Sequence, residues 1–244
     1  MYIVAGIFLI SCFLTSVLSG VFGMAGGLIL LWVLLQLFSA SAAIAVHGVI
    51  QFSANFSRAW ISREYIVWSI VAKITAGVLL AASILLVISY KPNPVAISFI
   101  IGLMPILVWT PPDWVKLDAS RSSHALGCGF TAGGLTIAAG VSGPLIDIFF
   151  IRTQMGRRQI VATKAAIQVI SHAIKTLFYL NAFLSLSTGE WWYILLAAPL
   201  AIIGTKVGNY ILMHLTDANF RSWSRLIVTT IGIVYLVQGM FLLF

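Results

Sequence analysis

Long apolar runs separated by short polar or glycine-rich breaks make up most of the chain. A helix needs about 20 apolar residues to cross the hydrocarbon core of a bilayer, and most of the runs approach that length. The two-residue alternation of a membrane β-barrel is absent, so helices are the expected element. The runs lie at about residues 2–19, 43–60, 65–90, 94–110, 124–139, 159–180, 190–213 and 221–244.

Two of these runs carry the same ladder of polar side chains. Steps of four, four and three residues place the four members of each ladder within a sector of about 80° on one helix face. Polar and ionisable groups inside apolar helices are costly and usually functional, so the two ladders are the first candidates for a site. The first ladder is His47, Gln51, Asn55 and Arg58, and it matches Lys164, Gln168, His172 and Lys175 in spacing.

The repetition extends beyond the ladders and predicts a duplicated plan. A glycine-rich segment, Gly20–Leu28, precedes the first ladder, and a second segment, Ala139–Leu145, precedes the second at the same separation. Each half then reads as an apolar segment, a break, a short apolar segment, the ladder helix and two further helices. We therefore expect one membrane domain over 1–244, with repeats at 1–112 and 123–244 joined by a loop at 113–122.

The positions of Lys and Arg predict an inverted repeat. Short loops rich in Lys and Arg stay in the cytoplasm, and such loops alternate along this chain with loops that carry only Lys91. These assignments agree if each half contributes one hairpin, either re-entrant or fully spanning, and three crossings. The second half is then inverted relative to the first. The protein is expected in the cell (inner) membrane, with both termini on its outer side.

Composition excludes several classes of function. Hydrophobic residues make up 61% of the chain and charged residues 8%, which is typical of an integral membrane protein. The net charge of +8 lies in short loops and inside helices, so it does not indicate a nucleic-acid partner. Two cysteines form neither a disulfide framework nor a metal cluster, and no nucleotide-binding motif is present. We expect no cofactor, no metal and no enzymatic activity, and the sequence leaves a homodimer open.

The glycine-rich breaks are candidate anion sites. Unwound backbone frees N–H groups and exposes the positive end of a helix dipole, and at membrane depth such backbone lines a cavity or lies buried in protein. The alternative is that the glycines only let helices pack closely. The backbone candidates for substrate binding are Gly23, Gly26, Gly27, Gly140 and Gly143.

The side-chain candidates for substrate binding come from the middle of the ladders. Gln51, Asn55, Gln168 and His172 are expected nearest the membrane midplane, where they can donate hydrogen bonds to an oxyanion. Lys164 follows, because it lies inside its helix and does not read as a loop charge.

Five further residues are candidates for gating or coupling. Arg58 and Lys175 are expected near opposite faces of the membrane, where long basic side chains also snorkel to the headgroups without a functional role. Asp147 either pairs with Lys164 or Lys206, or is only favoured by the dipole of its short helix. The repeat match places His47 opposite Lys164. The set is His47, Arg58, Asp147, Lys175 and Lys206.

The glycine-rich segments resemble those of the TauE/SafE family of presumed sulfite and organosulfonate exporters. The likeness rests on Leu18–Leu28 (LSGVFGMAGGL), Gly129–Gly134 (GFTAGG), Gly140–Pro144 (GVSGP) and Val161–Ala165 (VATKA). The first segment departs from the family by lacking a fuller glycine run and a nearby proline, and the second has Ala138 and Ala139 where more glycine is typical. The resemblance implies transport of small sulfur-containing anions such as sulfite, sulfoacetate or another organosulfonate, or thiosulfate.

A secondary transporter of such anions, working by alternating access, is the function that these observations favour. An anion channel would use the same hydrogen-bond donors. A haem or metal protein with His47, His124 and His172 as ligands is the third hypothesis, although no acidic or cysteine partner accompanies His47 and His172, and transition-metal sites usually need more such ligands.

Overall fold

A computed structural model describes residues 2–23 and 25–244, and 82% of the structure is helix with no strand in the described part. The helices are α1 (Tyr2–Phe22), α2 (Ala25–Leu37), α3 (Ala40–Ile61), α4 (Trp68–Val87), α5 (Pro94–Leu103), α6 (Pro105–Trp109), α7 (Ser122–Cys128), α8 (Gly134–Ala139), α9 (Gly143–Phe150), α10 (Arg157–Phe178), α11 (Leu180–Leu184), α12 (Thr188–Leu212) and α13 (Asp217–Phe241). A π-helical turn, Gly129–Gly133, joins α7 to α8. Short 3₁₀ turns lie at Arg63–Tyr65 and Pro112–Trp114.

All eight apolar runs form helices, so the prediction of an all-α membrane protein is confirmed. Four helices in the described part are long and apolar enough to cross a membrane: Val4–Phe22, Trp68–Val87, Thr188–Leu212 and Ser222–Phe241. The ladder helices α3 and α10 are equally long but carry their polar stripes in the interior.

The two predicted breaks are present, but each is narrow. Gly23 (φ +75°) follows the end of α1, and Gly140 (φ +85°) follows the end of α8. Glycine takes this left-handed conformation without a steric penalty, so both positions suit the residue. The chain stays helical through Gly20, Gly26 and Gly27, so the unwinding is confined to the tip of each hairpin.

The first arm of each hairpin is much longer than the second. Helix α1 has 21 residues and is about 31 Å long at 1.5 Å per residue, which is enough to cross the hydrocarbon core. Helix α2 has 13 residues, and α9, the second arm of the other hairpin, has only eight. The short arms therefore end partway along their partners.

Each half packs one segment against a helix of the other half, and glycines line both contacts. Helix α1 packs along α12 of the second half, while the α7–α8 segment packs along α4 of the first. A Cβ on Gly20 would lie 2.8 Å from Gly208 Cα, and a Cβ on Gly77 would lie 2.9 Å from Gly129 Cα. Such reciprocal contacts are expected of two repeats related by a twofold axis. The inversion of the repeats across the bilayer stays a prediction.

Candidate functional site

The ladder helices α3 and α10 cross at the centre of the molecule and run antiparallel. His47, near the start of α3, contacts Lys175, near the end of α10. The expectation that His47 lies opposite Lys164 is therefore wrong, because antiparallel packing joins opposite ends of the two ladders. Gly48 allows the close approach, since a Cβ there would lie 3.2 Å from the carbonyl oxygen of His172.

Both breaks and both ladders meet around a small inner cavity of about 30 Å³. A space of this size holds roughly two water molecules, or the oxygens of one small anion. Six of the predicted binding residues line it: Gly23, Gly27, Gln51, Gly143, Gln168 and His172.

Two buried nitrogen atoms at this cavity have no hydrogen-bond partner in the described structure. They are Gln51 Nε2 and His172 Nδ1, on side chains that are only 5% and 6% exposed. A buried polar group without a partner is destabilising, so both nitrogen atoms are available to hydrogen-bond a ligand or water in the cavity. Gly27 leaves space beside Gln51 and His47, since a Cβ there would lie 3.5 Å from both Gln51 Nε2 and His47 Nε2.

Hydroxyl groups complete the cavity wall, and sequence reasoning missed them. Thr136, Ser142 and Ser171 line the cavity together with the predicted residues. The Thr136 hydroxyl donates to the carbonyl of Ala132 (2.9 Å), so in its 2.5 Å contact with Ser142 Oγ the serine donates. The position of Ser142 inside the break, between Gly140 and Pro144, was the available sequence indication.

A larger vestibule of about 260 Å³ adjoins the inner cavity and shares Gly23, Gly143 and Gln168 with it. Among the residues that the structure describes, its charged lining consists of Arg58, Arg157, Lys164 and Asp147. Basic side chains in this lining make the vestibule attractive to anions. Sequence reasoning assigned no site role to Arg157, which it treated only as a loop charge.

Two contacts hold the charges of the vestibule in place. Lys164 and Asp147 form an ion pair, with side chains 25% and 34% exposed, so the predicted pairing with Lys164 is present. Arg58 Nη2 donates to the carbonyl of Ser19 (3.0 Å) in the last turn of α1. The negative end of the helix dipole also stabilises a cation at this position.

Lys175 and His47 join the two breaks on the far side of the inner cavity. Lys175 Nζ donates to the carbonyl of Gly140 and contacts His47 Nδ1, each at 2.8 Å. His47 Nε2 lies 2.9 Å from the carbonyl of Gly27, so Nε2 carries the hydrogen and Nδ1 accepts from the lysine. Lys175 has no exposed surface, so it does not snorkel to a headgroup.

The remaining candidates lie outside both cavities. Gly26 packs against α1, since a Cβ there would lie 2.6 Å from the backbone nitrogen of Ser19. Asn55 donates to the carbonyl of Gln51 (2.9 Å) within α3. Lys206 is exposed on α12.

The histidines of the haem or metal hypothesis are divided between two places. The rings of His47 and His172 lie 5.7 Å apart, centroid to centroid. His124 accepts a hydrogen bond from the backbone nitrogen of Asp118 at the start of α7. Among the described residues, no three His, Cys, Asp or Glu side chains form a group that could hold a metal ion.

Comparison with known proteins identifies the family. A family model described as sulfite exporter TauE/SafE matches residues 8–235 of the 244. The chain belongs to the TauE/SafE family. Its members are membrane exporters of sulfite or organosulfonates, so this chain is a multi-pass membrane transporter and at the family level not an enzyme. Comparisons with curated proteins and with solved structures give no match.

Proposed function

We propose that this TauE/SafE protein carries a small sulfur oxyanion, namely sulfite, thiosulfate or the sulfonate group of a small organosulfonate, through the inner cavity by alternating access. The observation that carries the proposal is the pair of unpartnered buried atoms, Gln51 Nε2 and His172 Nδ1, where both breaks meet. Bound oxyanion oxygens would accept hydrogen bonds from both groups.

The sizes of the two cavities favour a substrate whose oxyanion head and organic substituent occupy different cavities. The inner cavity of about 30 Å³ takes a three-oxygen head in place of about two waters. Any organic substituent would lie in the vestibule of about 260 Å³, beside Arg58 and Lys164. We infer that the charged vestibule collects anions and that the inner cavity selects the sulfur oxyanion head.

The present arrangement fits one end state of alternating access. The vestibule adjoins the inner cavity on the side of Arg58 and Arg157, whose loops are predicted to be cytoplasmic. The Lys175–His47 pair links the two hairpins beyond the cavity through its contacts with the carbonyls of Gly140 and Gly27. Rocking of the two repeats would open the second side and close the first.

Uptake and counterflow in proteoliposomes test the proposal with sulfite, thiosulfate and methanesulfonate. We expect saturable flux that is accelerated by substrate on the opposite side, and at least a tenfold loss of kcat/KM in Gln51→Leu and in Gln168→Leu. The matched control is Gln36→Leu, the same chemical change at an exposed position of α2 outside both cavities. Parent rates in both site variants would refute the site, and ohmic single-channel currents would favour a channel.

A further inference from the structure

Within the described part of the chain, the Lys175 side chain is a buried base without an acidic partner. It has no exposed surface, and no carboxylate among the described residues lies within 4.0 Å of its Nζ. Burying a charge without a counter-charge is strongly unfavourable, and such a group either finds an opposite charge or gives up its proton. Lys175 can therefore be an ammonium only with an anion nearby, whereas without one the neutral amine is favoured.

The hydrogen bonds around Lys175 suit the neutral amine. An amine has two N–H groups, and the described structure offers two acceptors, the Gly140 carbonyl and His47 Nδ1. An ammonium has three N–H groups, so one of them would lack an acceptor. The third donor requires an acceptor, and the extra charge requires an anion nearby; a bound substrate anion would supply both.

His47 connects this base to the inner cavity. Its Nδ1 faces Lys175, while its ring lines the cavity and its Nε2–H reaches the carbonyl of Gly27. An anion beside Gly27 would be a better acceptor for that N–H than the carbonyl, because a charged acceptor strengthens the hydrogen bond. The imidazole would then stand between the ammonium and the anion and contact both, with no change of tautomer.

The other charged groups around α10 do not offer an alternative counter-charge. Toward Lys175, α3 contributes His47 and α10 itself contributes His172, while neither α8 nor α11 carries a titratable side chain. The nearby tyrosine hydroxyls donate to backbone carbonyls, Tyr179 to Ile137 and Tyr90 to Ala138.

The charged groups at the other end of α10 lie far from Lys175. Arg58 of α3 and Lys73 of α4 are cations, and Arg63 and Glu64 lie on the 3₁₀ turn after α3. Asp147 is paired with Lys164, about 16 Å along α10 from Lys175.

We propose that the Lys175–His47 pair binds one proton together with each substrate anion, so that this protein carries an anion and a proton together. The inference rests on the proposed anion site in the inner cavity. Anion and proton each stabilise the other, and thermodynamic linkage makes this coupling reciprocal. The proton comes from the solution with the anion and leaves with it, and it belongs to the pair as a whole. A monovalent sulfonate then crosses without net charge.

Calorimetric binding measurements on the purified protein test this coupling directly. Thiosulfate and methanesulfonate are the probes, because anions of strong acids bring no proton of their own near neutral pH. Titration at one pH in two buffers with different ionisation enthalpies gives the number of protons taken up for each anion bound. We expect about one proton per anion above neutral pH, with the anion affinity falling about tenfold for each unit rise in pH.

Three variants separate proton coupling from anion binding. Lys175→Arg keeps a permanent charge, so it should bind the anion without proton uptake and with little pH dependence. Lys175→Met should bind weakly and also take up no proton. Lys206→Met removes a lysine from the exposed face of α12 and should match the parent protein.

The outcomes distinguish this inference from the proposed function. Anion binding by the parent protein without proton uptake would overturn the coupling and leave the anion site standing. Uptake of about one proton per anion in both Lys175 variants would also overturn it. Absence of any binding of either anion by the folded parent protein would overturn the proposed substrate class, and the coupling with it.

Discussion

Replacement of Asp147 by Asn should strengthen anion binding, because Asp147 places a negative charge beside the basic side chains of the described vestibule lining. The substitution removes a negative charge near the path of the anion and releases Lys164 from its ion pair. The amide has nearly the same shape as the carboxylate, so packing around α9 should be preserved.

The size of the vestibule sets the expected gain in anion affinity. A space of about 260 Å³ has a radius of about 4 Å, and lining atoms lie about 3 Å farther out, so a central anion is about 7 Å from the carboxylate. Two unit charges at that distance repel by about 2.4 kcal/mol at an effective dielectric constant of about 20, and by about 0.6 kcal/mol in water. The affinity should therefore rise between about 3-fold and 60-fold. The lower end is expected, because the Asp147 side chain is 34% exposed and because the anionic head binds in the adjoining inner cavity, farther from the carboxylate than the vestibule centre.

The assay is the equilibrium affinity for methanesulfonate, which carries a single negative charge, at low and high ionic strength. The gain should shrink as salt screens the charges, and Lys164→Gln in the Asp147→Asn background should remove much of it. Glu64→Gln is the matched control, because it makes the same chemical change on an exposed turn outside the vestibule. Unchanged or weaker binding by Asp147→Asn, with Glu64→Gln equal to the parent, would refute the assigned role of Asp147.

Three further predictions concern packing. Gly208→Val should sharply lower the melting temperature in detergent, because a Cβ there collides with the backbone of α1, whereas Gly6→Val meets open space and should not. Gly140→Ala should lose about 1–2 kcal/mol from backbone strain at φ +85°, and its Cβ would lie 2.7 Å from a leucine of α2; a parent-like melting temperature would contradict this. Tyr235→Phe should lose only about 0.6–1.5 kcal/mol, since it removes one buried hydrogen bond to the Leu28 carbonyl (3.0 Å); chemical unfolding of both proteins measures the difference.

Local patterns in the sequence were enough to predict the helices and the two breaks. Hydropathy and the glycine positions depend on short stretches of chain, so the spans of α3 and α10 and the turns at Gly23 and Gly140 follow from them. Six of the ten predicted binding residues line the inner cavity. Gln51, Gln168 and His172 were predicted because a helical stripe fixes which side chains share a face, and Gly23, Gly27 and Gly143 because they lie in or beside the breaks.

The partners of the ladder residues could not be predicted in this way. The contact of Lys175 with His47 depends on the direction in which α10 crosses α3, and spacing along each helix does not contain that information. The role of Gly26 in packing against α1 depends on the close approach of two helices. Ser142 and Thr136 were missed because isolated hydroxyl residues are common in apolar helices and carry no distinctive spacing.

The packing of α1 against α12 joins two helices that are synthesised at very different times. Helix α1 is complete at Phe22, but its main partner α12 does not begin until Thr188. At about 5–20 residues per second, a ribosome needs roughly 10–30 s to make the chain between them. During that time α1 lies in the lipid without its partner, and its glycine-lined face is open to any other helix nearby. An incomplete chain therefore exposes a surface suited to helix pairing, which makes early release from the ribosome a route to misassembly and degradation.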